Sequence, residues 1–241
     1  MFTDLKPKVI LFDFYETLLD ILTDEHDPVV WEQLARFLQY RGLAADGSLL
    51  HQSFTRLIKA HLELSKEKYP EISISKIFRT ILSDLGYSGP KDFYTSVSQL
   101  FRSLSIRRFK LFSDTLPTLQ GLARNYQLGL ITDAQRVFFE SEIQITGLKP
   151  YFNVTIVSSD YLFHKPDPRM FMMALEKMGA APDQVLFVGD SWERDILGAW
   201  SVGIRGILLN RKNNHYNFEG DHRPLGVISS LNDLRQSGLA F

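Results

Sequence analysis

The sequence predicts an α/β protein: a parallel sheet covered on both faces by helices, with a block of helices inserted after the first strand. Three observations carry that prediction. Short apolar runs recur, and the later ones alternate with segments of helical periodicity. The runs are continuous rather than alternating, as in strands buried on both faces. The interval from about residue 20 to 105 shows helical patterns and no convincing strand.

The elements follow in order. The first strand is expected at 9–12, "VILF", running straight into Asp13. Amphipathic helices are expected over 28–40, 49–64, 74–85 and 93–104, broken at "GLAADGS", "KYPEIS" and "GYSGPKD". Those breaks are rich in Gly, Pro or small polar residues, which favour turns and helix ends. Strands are then expected at 128–131, 154–157, 185–188 and 206–209, with helices over 135–145, 168–178 and 194–200 between them. The stretch "LNRKNNHYNFEGDHRP" reads as a polar loop before a last short strand at 225–229. No internal repeat or low-complexity tract interrupts the pattern.

Composition narrows the function. The 27 basic and 28 acidic residues leave a net charge of -1, with no electrostatic footprint for nucleic acid or an anionic membrane. Arg107, Arg108 and Lys110, the densest basic cluster, read as a solvated hinge or helix end. The absence of cysteine excludes disulfides, thiolate zinc sites and cysteine nucleophiles. No apolar run has the length of a signal peptide or membrane span, so a cytoplasmic protein is expected, as monomer or homodimer.

In open α/β sheets ligands bind beyond the carboxyl ends of the strands. The polar residues there are Asp13 after the first run, Thr132 and Asp133 after the second, Ser158 to Asp160 after the third, and Asp190 after the fourth. Lys165 follows shortly, immediately before Pro166. Carboxylates, a hydroxyl and a lysine on one edge suit a phosphate and Mg2+, which takes oxygen ligands. Each also has a plainer reading: Asp13 as a turn residue, Asp167 as the N-cap of the 168–178 helix. Phe12, Phe14, Phe138, Phe139 and Phe187 read as core.

Taken together, "DFYET", "LGLITDA", "HKPDPRMF" and "VLFVGDSWERDILGA" resemble, in order, the four motifs of the haloacid dehalogenase superfamily, which is mostly phosphatases. The resemblance spans essentially the whole chain. It implies a Rossmann-like, doubly wound parallel core formed by residues 1–19 and 106–241. It also implies a helical cap of the C1 type over residues 20–105. It implies that Asp13 attacks phosphorus to form an aspartyl-phosphate, with Thr132, Asp133 and Lys165 binding the phosphoryl group. Mg2+ would be held by Asp13, the backbone carbonyl of Tyr15 and Asp190, and Asp195 would orient its waters or Lys165. A small, phosphorylated molecule is the implied substrate.

Tyr15 departs from the pattern. The phosphatases carry an aspartate there that protonates the leaving group, and a phenol is a poor base near neutrality. The 2-haloacid dehalogenases carry tyrosine or another non-acid there, since halide leaves without a proton. Their fourth motif, however, builds no metal site, whereas this chain has Gly189-Asp190-Ser191 followed by Asp195. Their third motif tends to carry a tyrosine where this chain has Phe171, and their cap arginine follows a tryptophan where Trp31 here precedes Glu32. An extra carboxylate without a cation would raise the pKa of Asp13 and weaken it as a nucleophile. The expectation is therefore an Mg2+-dependent phosphatase lacking its general acid. The alternatives are a metal-free dehalogenase and a phosphoryl- or protein-binding module of negligible turnover. Glu16, Asp20 and Asp133 are the candidates to replace the acid, Glu16 first.

Overall fold

The computed structural model describes residues 6–218, 222–237 and 239–240; residues 219–221 of the expected polar loop lie outside it. Six strands form one parallel sheet in the order β5–β4–β1–β6–β7–β8. They are β1 (Val9–Phe12), β4 (Gln127–Thr132), β5 (Val154–Val157), β6 (Val185–Gly189), β7 (Arg205–Leu209) and β8 (Gly226–Ile228). Each expected run is a strand, displaced by no more than two residues at an end.

Alternate side chains enter opposite faces, as the pleat requires. Ile10, Phe12, Leu128, Leu130, Leu186 and Val188 join a core beneath α5 (Thr115–Leu122) and α6 (Arg136–Ile145). Val9, Leu11, Ile131, Ile156, Val185 and Phe187 face α7 (Pro168–Met178) and α8 (Gly198–Trp200). The sheet is thus doubly wound. From β1 the chain builds outward through β4 and β5, then returns to lay β6 against the other side of β1. That reversal opens a crevice at the carboxyl ends of β1, β4 and β6.

The inserted helices are α1 (Pro28–Tyr40), α2 (Gly47–Leu64), α3 (Ile74–Asp84) and α4 (Asp92–Ser105). Their apolar stripes share a separate core around Trp31, Leu34, Phe54, Phe78 and Phe101, joined by Phe138 of α6. Asp27 caps α1 by accepting from the Val29 N–H at 2.9 Å, and Asp46 caps α2 through Leu49 at 3.0 Å. Among the described residues, no helix is long and apolar enough to cross a membrane.

Three expectations are corrected. Leu19–Thr23 (β2) and Ile106–Leu111 (β3) pair antiparallel as a two-stranded ribbon, so residues 20–105 do contain strand. Arg107, Arg108 and Lys110 lie on β3, not in a hinge or helix end. Such half-exposed strands mix charge with apolar residues and give no continuous run. The expected 194–200 helix is a wide π-type turn at Trp192–Leu197 followed by the single turn of α8; the Ile196 N–H reaches back to the Ser191 carbonyl at 3.2 Å. Extra-residue turns of this kind escape a 3.6-residue periodicity. The helix α5 was not expected either, its pattern being interrupted by Pro117.

Candidate active site

The site begins where β1 ends. Asp13 is 7% exposed and donates its backbone N–H to the Val188 carbonyl at 3.0 Å, which ties it to β6. The chain then doubles back tightly. The Leu18 and Leu19 amides both donate to the Phe14 carbonyl, and Glu16 adopts a left-handed φ of 60°. A side chain with a Cβ occupies that region at a cost, so the surrounding contacts must hold it there. The turn sends neighbouring side chains apart. Tyr15 donates its hydroxyl to Glu142 Oε2 at 2.6 Å, whereas Glu16 pairs with Lys212 at 2.6 Å. Thr17 is fully buried and donates to Asp190 Oδ1 at 3.4 Å.

Lys165 lies at the centre of the charged cluster. Its ammonium, 2% exposed, donates to Asp13 Oδ1 and to Asp195 Oδ1, each at 2.6 Å. The loop carrying it is pinned by its own N–H, which donates to Asp133 Oδ1 at 2.9 Å. Two glycines permit the close approach. A Cβ at Gly189 would lie 2.4 Å from Asp195 Oδ2, and one at Gly198 would lie 2.6 Å from the Phe171 ring. The π-type turn places Asp195 so that its second oxygen accepts from the Ser191 N–H at 2.9 Å.

Carboxylate oxygens of Asp13, Asp190 and Asp195 lie within 4.8 Å of one another. They face one ammonium, an excess of two negative charges. Burial would lower the Lys165 pKa, but Asp13, Asp195 and Asp133 outweigh it and hold the ammonium charged. Burial pushes Asp13 upward; Lys165 opposes this, and Asp195 and Asp190 add to it. Asp190 is pushed up to about 6 by burial and by Asp195. A divalent cation relieves such crowding, and the donors are the hard oxygens that Mg2+ takes. Both Asp195 oxygens are already engaged, so Asp13 and Asp190 are the carboxylates that fit as ligands.

Thr132 is fully buried, and its Oγ1 has no hydrogen-bond partner among the described residues. Buried hydroxyls are rarely left so, and this one suits a ligand oxygen. Asp133 gives one oxygen to the Lys165 loop, while the other faces Arg194 at 3.7 Å. A cavity of about 260 Å³ reaches Asp190 and is lined by Glu16, Arg108, Arg211 and Lys212.

Of the residues expected at the site, Asp13, Lys165, Asp190 and Asp195 therefore converge, with Thr132 at the end of the neighbouring strand. The Tyr15 hydroxyl is turned to Glu142. Its pKa stands well above the usual phenol value, through burial and then the Glu142 charge, so it stays a protonated donor. Glu16 and Asp20 are each paired with a cation, Lys212 and Arg108.

Sequence reasoning missed Glu142, Arg102 and Glu71. Glu142 sits mid-helix among ordinary α6 residues and Arg102 lies in the last turn of α4. Glu71, in the connection between α2 and α3, accepts from Ser158 Oγ at 2.7 Å and Gln135 Nε2 at 3.2 Å, and burial raises its pKa. None of the three belongs to a local motif, and Glu71 stands in the break "KYPEIS" with nothing beside it to mark it.

Comparison with known proteins places the chain by family and fold. The sequence model of the family described as haloacid dehalogenase-like hydrolase matches residues 7–203. The "Haloacid dehalogenase-like hydrolase domain-containing protein 3" of Danio rerio is 27% identical over 236 residues, 93% of each chain. Two solved structures are similar over 95% of this chain and 97% of their own. A HAD phosphatase from Thermococcus onnurineus is 26% identical with a TM-score of 0.63. A 2-haloacid dehalogenase from Pseudomonas syringae pv. Tomato DC3000 is 25% identical with a TM-score of 0.68. Strand order, motif positions and whole-chain similarity thus point the same way, and the chain belongs to the haloacid dehalogenase-like hydrolase family.

Proposed function

We propose that the protein is an Mg2+-dependent phosphatase-like hydrolase of small phosphate esters or anhydrides, with Asp13 as nucleophile. The observation that carries this reading is the excess of carboxylate around Lys165, at a strand edge that also holds the unpaired Thr132 hydroxyl. Residues 1–19 and 106–241 form the catalytic unit and residues 20–105 a cap. What supports that division is the separate apolar core of α1–α4.

The chemistry follows from the residues. A carboxylate oxygen of Asp13 attacks phosphorus, and the bond to the leaving oxygen breaks with its electron pair on that oxygen. Lys165 and Thr132 hold the phosphoryl oxygens while charge redistributes. Water then attacks phosphorus and releases the Asp13 carboxylate with inorganic phosphate. Mg2+, when held by Asp13, Asp190 and the Tyr15 carbonyl, supplies electrostatic stabilisation of the transferring group. Asp195 fixes Lys165 from behind.

Nothing at position 15 gives the leaving group a proton, because the phenol is committed to Glu142. Rates should therefore fall steeply as the leaving-group pKa rises, with aryl and acyl phosphates ahead of alkyl phosphates. A series of aryl phosphates assayed with Mg2+ and with chelator tests this. A flat dependence sinks the missing-acid argument, and phosphate release unaffected by chelator sinks the metal. The second reading, dehalogenation, rests on Tyr15. Chloride release from 2-chloropropionate in chelator is its signature.

Asp190 provides a pH test. With its pKa raised to about 6 from an ordinary 3.8, the metal-free folded state holds a proton that the unfolded chain has lost. Its contribution to stability is present at low pH and is lost as pH rises through about 6. In chelator, Asp190→Asn should flatten this decline and raise Tm above pH 6 by about 6 °C. It should also abolish the Mg2+-induced rise in Tm. Parallel wild-type and variant melts across pH would contradict the assignment.

A further inference from the structure

Glu142 takes no part in the cluster around Asp13, yet it is 4% exposed and both its oxygens are engaged. Oε2 accepts the Tyr15 hydroxyl at 2.6 Å, and Oε1 accepts Arg102 Nε at 2.7 Å. Three parts of the molecule meet there: the turn after β1, the helix α6 and the helix α4 of the inserted unit. The Arg102 guanidinium also lies 5.6 Å from the Tyr15 ring centroid and 5.0 Å from that of Phe138, with Glu25 Oε1 at 3.7 Å.

We propose that Arg102 and Glu142 form a latch that couples docking of the helical unit to the geometry of the Asp13 turn, acting through the Tyr15 hydroxyl. They are then positioning residues for the hydrolysis proposed above, on which this part of the inference rests. The physical reason is the cost of a buried, unpaired charge. With α4 docked, the Glu142 carboxylate has a cation and a phenol; with α4 displaced, it loses the cation and must regain water. Tyr15 loses its cationic neighbour in the same movement. The turn that carries Asp13 therefore keeps its full set of contacts only while the helical unit covers the sheet edge. Tyrosine suits this task and aspartate does not. A phenol brings a neutral donor to Glu142, whereas a carboxylate at position 15 would be a second negative charge facing it.

The chain has no cysteine, so labels on Thr55→Cys of α2 and Lys177→Cys of α7, both exposed, report the separation of the two units without background. Pulsed electron–electron resonance on this doubly labelled protein should give one distance. Adding Arg102→Met or Glu142→Gln should bring in a second, longer population. Turnover of an aryl phosphate should fall about tenfold in kcat with a smaller change in KM, within the coupling expected of residues in one network. The double variant should be no worse than Arg102→Met alone. Arg102→Lys, which keeps the charge and risks the fold least, should show the same shift at smaller amplitude. Tyr15→Phe leaves the ion pair intact, so the distance should stay short while kcat falls about fivefold. An unchanged distance distribution in both Arg102 variants overturns the latch, as does strict additivity of Arg102→Met and Glu142→Gln. If the parent hydrolyses nothing, the phosphatase reading fails, while the distance measurement still decides the latch.

Discussion

On the mechanism proposed above, replacing Asp13 with asparagine is expected to lower kcat for an activated aryl phosphate by about 10⁴-fold or more, the scale set by loss of an enzymic nucleophile. An amide oxygen carries no full charge and forms no stable phosphate ester, while every other group at the site stays in place. The fold should not suffer. Asp13 is one of three crowded carboxylates, and Lys165 keeps its second partner, Asp195, at 2.6 Å. The variant should thus melt at or above the wild-type temperature in chelator. Residual activity within about tenfold of wild type would place the nucleophile elsewhere. Loss of activity with a lowered Tm would make the result one of folding.

Removing the Lys165 ammonium should be the most damaging change to stability. In Lys165→Met the buried carboxylates of Asp13 and Asp195 and the half-buried one of Asp190 remain with no cation among them. Stripping one member from a buried ion pair costs about 3–5 kcal/mol, which in a chain of this size lowers Tm by about 10 °C. The loss should shrink when pH is lowered, because protonating the crowded acids removes the repulsion. It should also shrink with Mg2+, whose charge replaces part of what was taken. Arginine should not rescue it. The ammonium sits between two carboxylates with the Phe187 ring centroid 5.8 Å away, and a planar guanidinium needs more room. A Tm within about 2 °C of wild type would show that the acids are already protonated around a lysine of little weight.

The parallel sheet was legible because its strands are buried on both sides. Val9–Phe12 leaves no polar residue to blur the run and Val154–Val157 only the β-branched Thr155, and their ends are marked by Asp13 and Ser158. Asp13, Lys165, Asp190 and Asp195 were legible for a related reason, since each stands in a local motif beside such a strand. The ribbon of β2 and β3 was not. Half its side chains face water, and Arg107, Arg108 and Lys110 read as solvated charge wherever they stand. Glu142 and Arg102 were hidden by distance in sequence. The Tyr15–Glu142 bond joins residues 127 apart and the Arg102–Glu142 pair residues 40 apart, so each looks like ordinary helix surface until α4 is laid on α6. Tyr15 was conspicuous in the sequence as a missing acid. Its bond to Glu142 gives the position a structural partner.

The ribbon has a consequence for how such a molecule can be rebuilt. Leu19 pairs with Leu111 and Leu22 with Arg108, so the chain leaves the sheet layer and returns to it along neighbouring strands a hydrogen bond apart. A hairpin turn could join those strands directly, and the loop-closure entropy of so short a link is small. The helices between them can thus be exchanged as a cassette, lengthened or replaced, without threading the sheet anew. Diversification of what is admitted to the strand edge can proceed at this one double-stranded stem, with the Arg102–Glu142 pair as the contact a replacement has to keep.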